Sequence, residues 1–250
     1  MTMLSIDPLK LQDYNIARSY DDRGTLFAGD TQTTIERKTF DYGGEEISCR
    51  VTRAHITLSS HAGTHADRPS HFHPRPEFDE FPQESYRGPA IILNVSNALN
   101  GSVAVTAAML REALTKMPRT HTESIQRVLV RTNPEDKYET EPRLLFPHFS
   151  PDIEGFLHEH QCKLLAIDTP SVDHPTEKHL MDAVHGVLYR QRTAVLENLN
   201  LSGRVSEEGI IVTVFDEARS FSDAKGVSAL YFFSSQQSSV GNNGLQERGN

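Results

Sequence analysis

Along this chain, short runs with an apolar–polar period near two alternate with runs of helical period. Ser48–Ser59 (SCRVTRAHITLS), Ala90–Val95, Arg127–Arg131, Lys163–Ile167 and Gly209–Phe215 are strand-like. Leu164 to Ile167 is apolar without a break, as expected of a strand covered on both faces. Thr106 offers a hydroxyl cap to a helix reaching about Met117, with Leu110 and Leu114 on one side. Ser150-Pro151 opens a second helix, with Pro where a missing N–H costs nothing and Ile153, Phe156 and Leu157 as its stripe. A short third helix is expected over His185–Gln191, and the run Ala194–Leu196 ends as a strand at Glu197. The alternation predicts a single α/β domain with a mixed sheet, spanning residues 16–233. Residues 1–15 read as an N-terminal extension. Residues 234–250, rich in Ser, Gln, Asn and Gly, read as a flexible polar tail that cannot repay its ordering entropy.

Composition narrows the function classes. The 250 residues are 37% hydrophobic and 24% charged, an ordinary globular balance. A net charge of -9 argues against a general nucleic-acid binder, which needs a concentrated positive surface. Cys49 and Cys162 form no CxxC pair and read as buried free thiols in a reducing compartment. The N-terminus carries no apolar core of signal-peptide length, and no run approaches a spanning helix. The expected address is cytoplasmic, with no membrane partner.

The chemistry concentrates in one window. Five of the 12 histidines lie between His55 and His73, in the order His61, His65, Asp67, His71. Two imidazoles and a carboxylate this close can converge on one divalent cation, since His nitrogen and carboxylate oxygen both bind at about 2.0–2.2 Å. A regular helix would align His61 with His65 but turn Asp67 away. Gly63 and Pro69 suggest an irregular turn instead. The bland alternative is a His-rich surface turn in which an imidazole caps a backbone carbonyl.

The run His61-Ala-Gly-Thr-His65-Ala-Asp67-Arg-Pro-Ser-His71 resembles the HxGTHxDxPxH signature of the cyclase-like metal-dependent hydrolases, a family that includes bacterial kynurenine formamidases. Gly29-Asp30-Thr31 is similar to its GDT turn, Leu165–Asp173 to its LIGIDTPSxD stretch, and Met181–His185 with Ala194–Asn198 to MDAHH and ILEN. The resemblance implies a barrel-like mixed sheet flanked by helices, of the swivelling β/β/α type. It implies that His61, His65 and Asp67 hold a first metal. Asp67 would also bridge to a second metal, His185 would be that metal's imidazole ligand, and Glu197 would be shared by both. His71 matches the proton donor and acceptor. A Glu at 197, where the isatin hydrolase branch carries Gln and one manganese, favours two divalent cations, zinc first and manganese as the alternative.

The implied activity is an arylformamidase of tryptophan catabolism, in which a metal-bound hydroxide hydrolyses N-formyl-L-kynurenine to kynurenine and formate. The implied assembly is a homo-oligomer, a dimer or larger. One departure stands out: Phe27, in Thr25-Leu-Phe27-Ala-Gly29-Asp30, replaces the Trp of the family's PxWPGDT stretch. Phe27 can still stack on a substrate ring, but it lacks the indole N–H. The rival substrates are a cyclic amide, an isatin-like ring or a lactone on the same site. The rival class is a non-catalytic metal-binding protein, whose usual mark, a missing ligand or missing His71, is absent here. Asp168 and Asp173 read as turn formers with an optional supporting role, and His73, His174 and His179 as surface residues.

Overall fold

The computed structural model describes residues 8–20, 27, 29–43, 48–117, 125–132, 146–177, 179–221 and 223–235. The expected tail lies outside the described residues from 236 onward, as do residues 1–7 of the N-terminal extension and Thr25, Leu26 and Ala28. Eleven strands and five α-helices follow in chain order among the described residues. A two-stranded ribbon comes first, β1 (Thr34–Gly43) antiparallel to β2 (Ser48–Thr57). β3 (His65–Asp67) leads into α1 (Pro69–Phe72), then β4 (Arg87–Asn94) and α2 (Ser96–Leu99). β5 (Ala104–Val105) precedes α3 (Ala107–Lys116) and β6 (Arg127–Arg131). β7 (His148–Phe149), α4 (Ile153–Glu159), β8 (Leu164–Ile167), α5 (Val184–Gln191) and β9 (Ala194–Leu196) follow. The long hairpin β10 (Glu207–Ser220) and β11 (Ala224–Ser234) ends the described chain.

Seven strands form one mixed sheet in the order β3-β11-β10-β4-β6-β8-β9. β4, β6, β8 and β9 run parallel, whereas β10, β11 and β3 pair antiparallel. The two outer strands then meet: His65 N–H donates to Glu197 O at 3.4 Å and Glu197 N–H to His65 O at 3.0 Å. The sheet is therefore nearly closed into a barrel, and its seam lies at two of the expected site residues.

Strand alternation divides the core in two. Leu93, Val128, Val130, Leu165, Ile167 and Val195 face a layer made by α3, α4 and α5. Ile92, Leu129, Leu164, Ala166 and Leu196 face the barrel interior with Phe232 and Leu230. This two-sided burial is why Leu164–Ile167 reads as uninterrupted apolar sequence. Thr106 caps α3 by accepting from Met109 N at 3.3 Å. α4 starts at Ile153 rather than at Pro151, because residues 150–152 form a turn in which Ser150 O accepts from Ile153 N. Cys162 is buried, but Cys49 lies exposed on the ribbon, which no second layer covers among the described residues; this corrects the reading of both thiols as buried. Among the described residues, no helix is long and apolar enough to cross a membrane.

Candidate metal centre

His65 and Asp67 sit two residues apart on β3, so both project from the same face of that strand. The preceding turn brings in His61. Gly63 has φ +68 there, and a Cβ on it would meet Tyr20 N at 2.7 Å, so only glycine fits. The turn is pinned on three sides. Thr64 Oγ1 accepts from Arg18 N (2.7 Å) and donates to Asn198 O (2.6 Å), Asn198 Nδ2 donates to Gly63 O (3.2 Å), and Arg219 donates to Ala62 O (2.9 Å).

The other groups arrive from distant sequence. α1 carries His71, whose ring centroid is 4.2 Å from that of His61 and 5.7 Å from that of His185. His185 occupies the first turn of α5, where Asp173 accepts from Val184 N (2.7 Å) and His185 N (3.3 Å) as an anion at the helix start. Glu197 follows β9 at the seam, and its Oε1 accepts from Val172 N at 2.7 Å. Asn198 then turns the chain at φ 60.

Asp67 is the hub of this cluster. Its Oδ1 lies 3.1 Å from His61 Nδ1 and 3.2 Å from His65 Nε2, and its Oδ2 lies 2.9 Å from His185 Nε2. Glu197 Oε2 approaches His65 Nε2 at 3.3 Å. The donor atoms of His61, His65 and Asp67 all lie within 4.8 Å of one another, as do those of Asp67, His71 and His185. Asp67 belongs to both groups. Its Oδ1 is fully buried yet makes no hydrogen bond. A buried carboxylate oxygen left unsatisfied is costly, and a divalent cation at this point would satisfy it. The donor set, imidazole nitrogens with carboxylates, suits zinc, manganese or iron. The residues present thus fit a divalent metal.

The electrostatics agree. Burial alone would lower the imidazoles, but it is outweighed by Asp67 and Asp223 at His61, by Asp67 and Glu197 at His65, and by Asp173 and Asp67 at His185. These rise to about 10, 9 and 10. Asp67 is held well below the usual carboxylate range: burial opposes this, and the surrounding imidazoles prevail. Glu197 is raised by burial and by Asp67. Without a cation the cluster therefore holds protons on its imidazoles, and a metal must displace them.

His71 behaves differently. Burial, opposed by Asp67 and reinforced by the charges on its three imidazole neighbours, draws it down to about 4. Near pH 7 it stands neutral, able to accept a proton.

The structure thus brings together His61, His65, Asp67, His71, His185 and Glu197, which the sequence spreads over more than half the chain. Phe27 packs edge-on against Phe146, with ring centroids 5.9 Å apart. His73 stacks on Tyr189 at 4.9 Å, and Asp168 accepts from Thr132 N and Oγ1. Asp173 proves to orient His185, with Oδ2 2.6 Å from its Nδ1. Sequence reasoning missed Asp223, a lone acid in a turn whose only signal is spatial.

Comparison with known proteins adds the family. The Cyclase family model matches residues 14–174, which takes in the His-rich turn and ends before His185 and Glu197. A kynurenine formamidase of Bacillus cereus is 34% identical over 160 residues, 63% of this chain and 69% of its own. Two solved structures share the fold at low identity. Isatin hydrolase A from Labrenzia aggregata superposes with a TM-score of 0.65 at 18% identity, over 87% of this chain and 91% of its own. A structure described as a potential metal-dependent hydrolase with cyclase activity gives 0.60 at 16%, over 88% and 96%. Matched by the family model over more than half its length and by a curated relative over two thirds of that relative, the chain belongs to the Cyclase family.

Proposed function

We propose that this protein is a metal-dependent amidohydrolase acting on non-peptide C–N bonds, with N-formyl-L-kynurenine as its substrate and formate and kynurenine as products. The observation that carries the reading is Asp67: buried, shared by two groups of imidazoles, and holding one oxygen, Oδ1, that makes no hydrogen bond while imidazole nitrogens of His61 and His65 stand 3.1 and 3.2 Å from it. The 34% identity to a kynurenine formamidase supports the reaction class, and Glu at position 197 supports two divalent cations, for which zinc is the first candidate and manganese the second.

A divalent cation at these donors would supply Lewis acidity, polarising a carbonyl and making water nucleophilic near neutral pH. The chain's own residues supply the rest. His61, His65, His185, Asp67 and Glu197 fix the donor geometry. His71, neutral near pH 7, takes the proton of the attacking water and returns it to the departing arylamine nitrogen. Phe27 offers an aromatic face to the substrate ring. Because Phe27 stands where the formamidase pattern has Trp, cyclic amides such as isatin are the competing substrates. Elemental analysis of the purified protein, combined with hydrolysis assays on N-formylkynurenine, isatin and a lactone, tests the reading. Metal near two equivalents with preferential formyl hydrolysis supports it. One equivalent with no formamidase activity moves the assignment to the cyclic amides, and metal without any turnover leaves a binding protein.

The proposal extends to assembly as a cytoplasmic homo-oligomer. Phe40, Tyr42 and Val51 on one face of the ribbon, and Ile210, Val212 and Val214 on the outer side of the β10–β11 hairpin, are all more than a third exposed. A two-stranded ribbon is marginal alone in water. A second copy of this chain, presenting the same two apolar surfaces, is the occupant that covers both.

A further inference from the structure

Each of the three imidazoles of His61, His65 and His185 points one nitrogen inward and the other toward an acceptor. His65 directs Nε2 to Asp67 and Glu197, while its Nδ1 lies 2.9 Å from Gly63 O. His185 directs Nε2 to Asp67, while its Nδ1 lies 2.6 Å from Asp173 Oδ2. His61 has the reverse ring orientation: Nδ1 faces Asp67 and His65, and Nε2 faces outward. That Nε2 is buried and makes no hydrogen bond, yet Oδ2 of Asp223 stands 3.4 Å from it.

Asp223 is well placed to wait there. It follows β10 at the tip of the hairpin, and its backbone carbonyl accepts from Arg68 N at 2.9 Å, one residue past Asp67. Ser60 Oγ donates to the same Oδ2 at 3.1 Å. Asp223 is thus tethered to both sides of the His61 turn, by its carboxylate at Ser60 and its backbone carbonyl at Arg68, and its neighbour Ala224 pairs with Asp67 where β11 meets β3. Imidazole ligands depend on such outer acceptors, which set the tautomer, fix the ring plane and raise the basicity of the inner nitrogen.

We infer that Asp223 is the positioning residue of His61: it accepts the Nε2 proton and so presents the Nδ1 lone pair to the cation beside Asp67. This rests on the metal-centre reading above. It gives the three imidazoles one logic, with Gly63 O, Asp173 and Asp223 as their respective acceptors. It also gives the β10–β11 hairpin a part in building a site whose other residues all lie elsewhere.

The test measures Zn²⁺ affinity of the full-length protein by competition with a chelating dye, together with the visible spectrum of the Co²⁺-loaded form. Asp223→Ala is expected to weaken Zn²⁺ binding about 10–100-fold, to change the Co²⁺ bands, and to leave the melting temperature of metal-free protein within about 4 °C of wild type, the shift expected for a change near 1 kcal/mol. Asp223→Asn keeps an acceptor oxygen and is expected to recover part of the affinity. Ser60→Ala, which removes only the tether, is expected to stay near wild type.

Wild-type affinity and spectrum in Asp223→Ala would overturn the assignment while leaving the metal centre intact. Loss of a whole equivalent of metal in both Asp223→Ala and Asp223→Asn would make Asp223 a ligand instead, and would equally overturn it. A wild-type protein that takes up no Zn²⁺ or Co²⁺ would remove the metal reading and this inference together.

Discussion

The Asp67 cluster and the β1–β2 ribbon are opposite extremes of the same chain. Every residue of the cluster is gripped from several elements: β3, α1, the start of α5, the end of β9 and the β10–β11 turn. The ribbon is held along its length by its own ladder, from Thr34↔Thr57 to Gly43↔Ser48, and its described side chains are exposed almost throughout. In the first region, burial concentrates charge and imposes geometry, so function depends on a few atoms. In the second, the described side chains meet mainly one another, as Arg50 does Asp41 and Thr39 does Thr52, and apolar residues face solvent. The described groups of the centre all come from one chain, whereas the ribbon's exposed apolar residues are what the proposed second copy would cover. That contrast makes separable expectations.

The largest effect is expected at the hub. Asp67→Asn should lower metal content and reduce kcat/KM on the order of 10³-fold or more, since a cation held there would supply several kcal/mol of charge stabilisation. Elemental analysis beside kinetics checks this, and near-normal turnover with metal absent would show that the hub is not catalytic. His71→Ala should keep the metal but lose about 10²–10⁴-fold in kcat, the range for removing a general acid or base. Metal lost in that variant would make His71 a ligand.

Next in size is a pH effect on the metal-free protein. His61, His65 and His185 have folded-state pKa values raised to about 10, 9 and 10. Their stabilisation is fully present below the unfolded value near 6.5 and is lost as pH rises through the folded values. Metal-free protein should therefore melt lower at about pH 9 than at about pH 6, by roughly 5 °C or more given about 2–4 °C per kcal/mol for a domain of this size. Saturating Zn²⁺, which replaces those protons, should reverse the trend. Calorimetry at the two pH values, with and without metal, decides it. The smallest effect on chemistry is expected at the ribbon. The double variant Phe40→Ser, Tyr42→Ser should shift the sedimentation coefficient toward a monomer and leave Zn²⁺ affinity nearly unchanged. A wild-type monomer in solution would remove the proposed assembly.

The same contrast governs what the sequence disclosed. Arg127–Arg131 and Leu164–Ile167 are legible as strands because both faces are buried, and Thr106 is legible because capping is local. The His-rich turn is legible because four of the site's groups, His61, His65, Asp67 and His71, fall within one short window. β1 is not, because Glu36, Arg37 and Lys38 break the apolar alternation on a strand with no buried side. Nor is β11, where Ser228 and the register shifts against β10 interrupt the pattern. Asp223 is invisible for a third reason. Its partners, Ser60 and His61, are brought to it only by the pairing of β11 with β3. Local chemistry can be read along a chain; a contact made by sheet closure cannot.

The measurement closest to the central claim is an anomalous-difference map from crystals of the full chain grown with Zn²⁺. The account expects density at about 2.0–2.2 Å from Asp67 oxygen and from imidazole nitrogens of His61, His65 or His185. Zinc bound only elsewhere, with the Asp67 carboxylate unchanged, would contradict it.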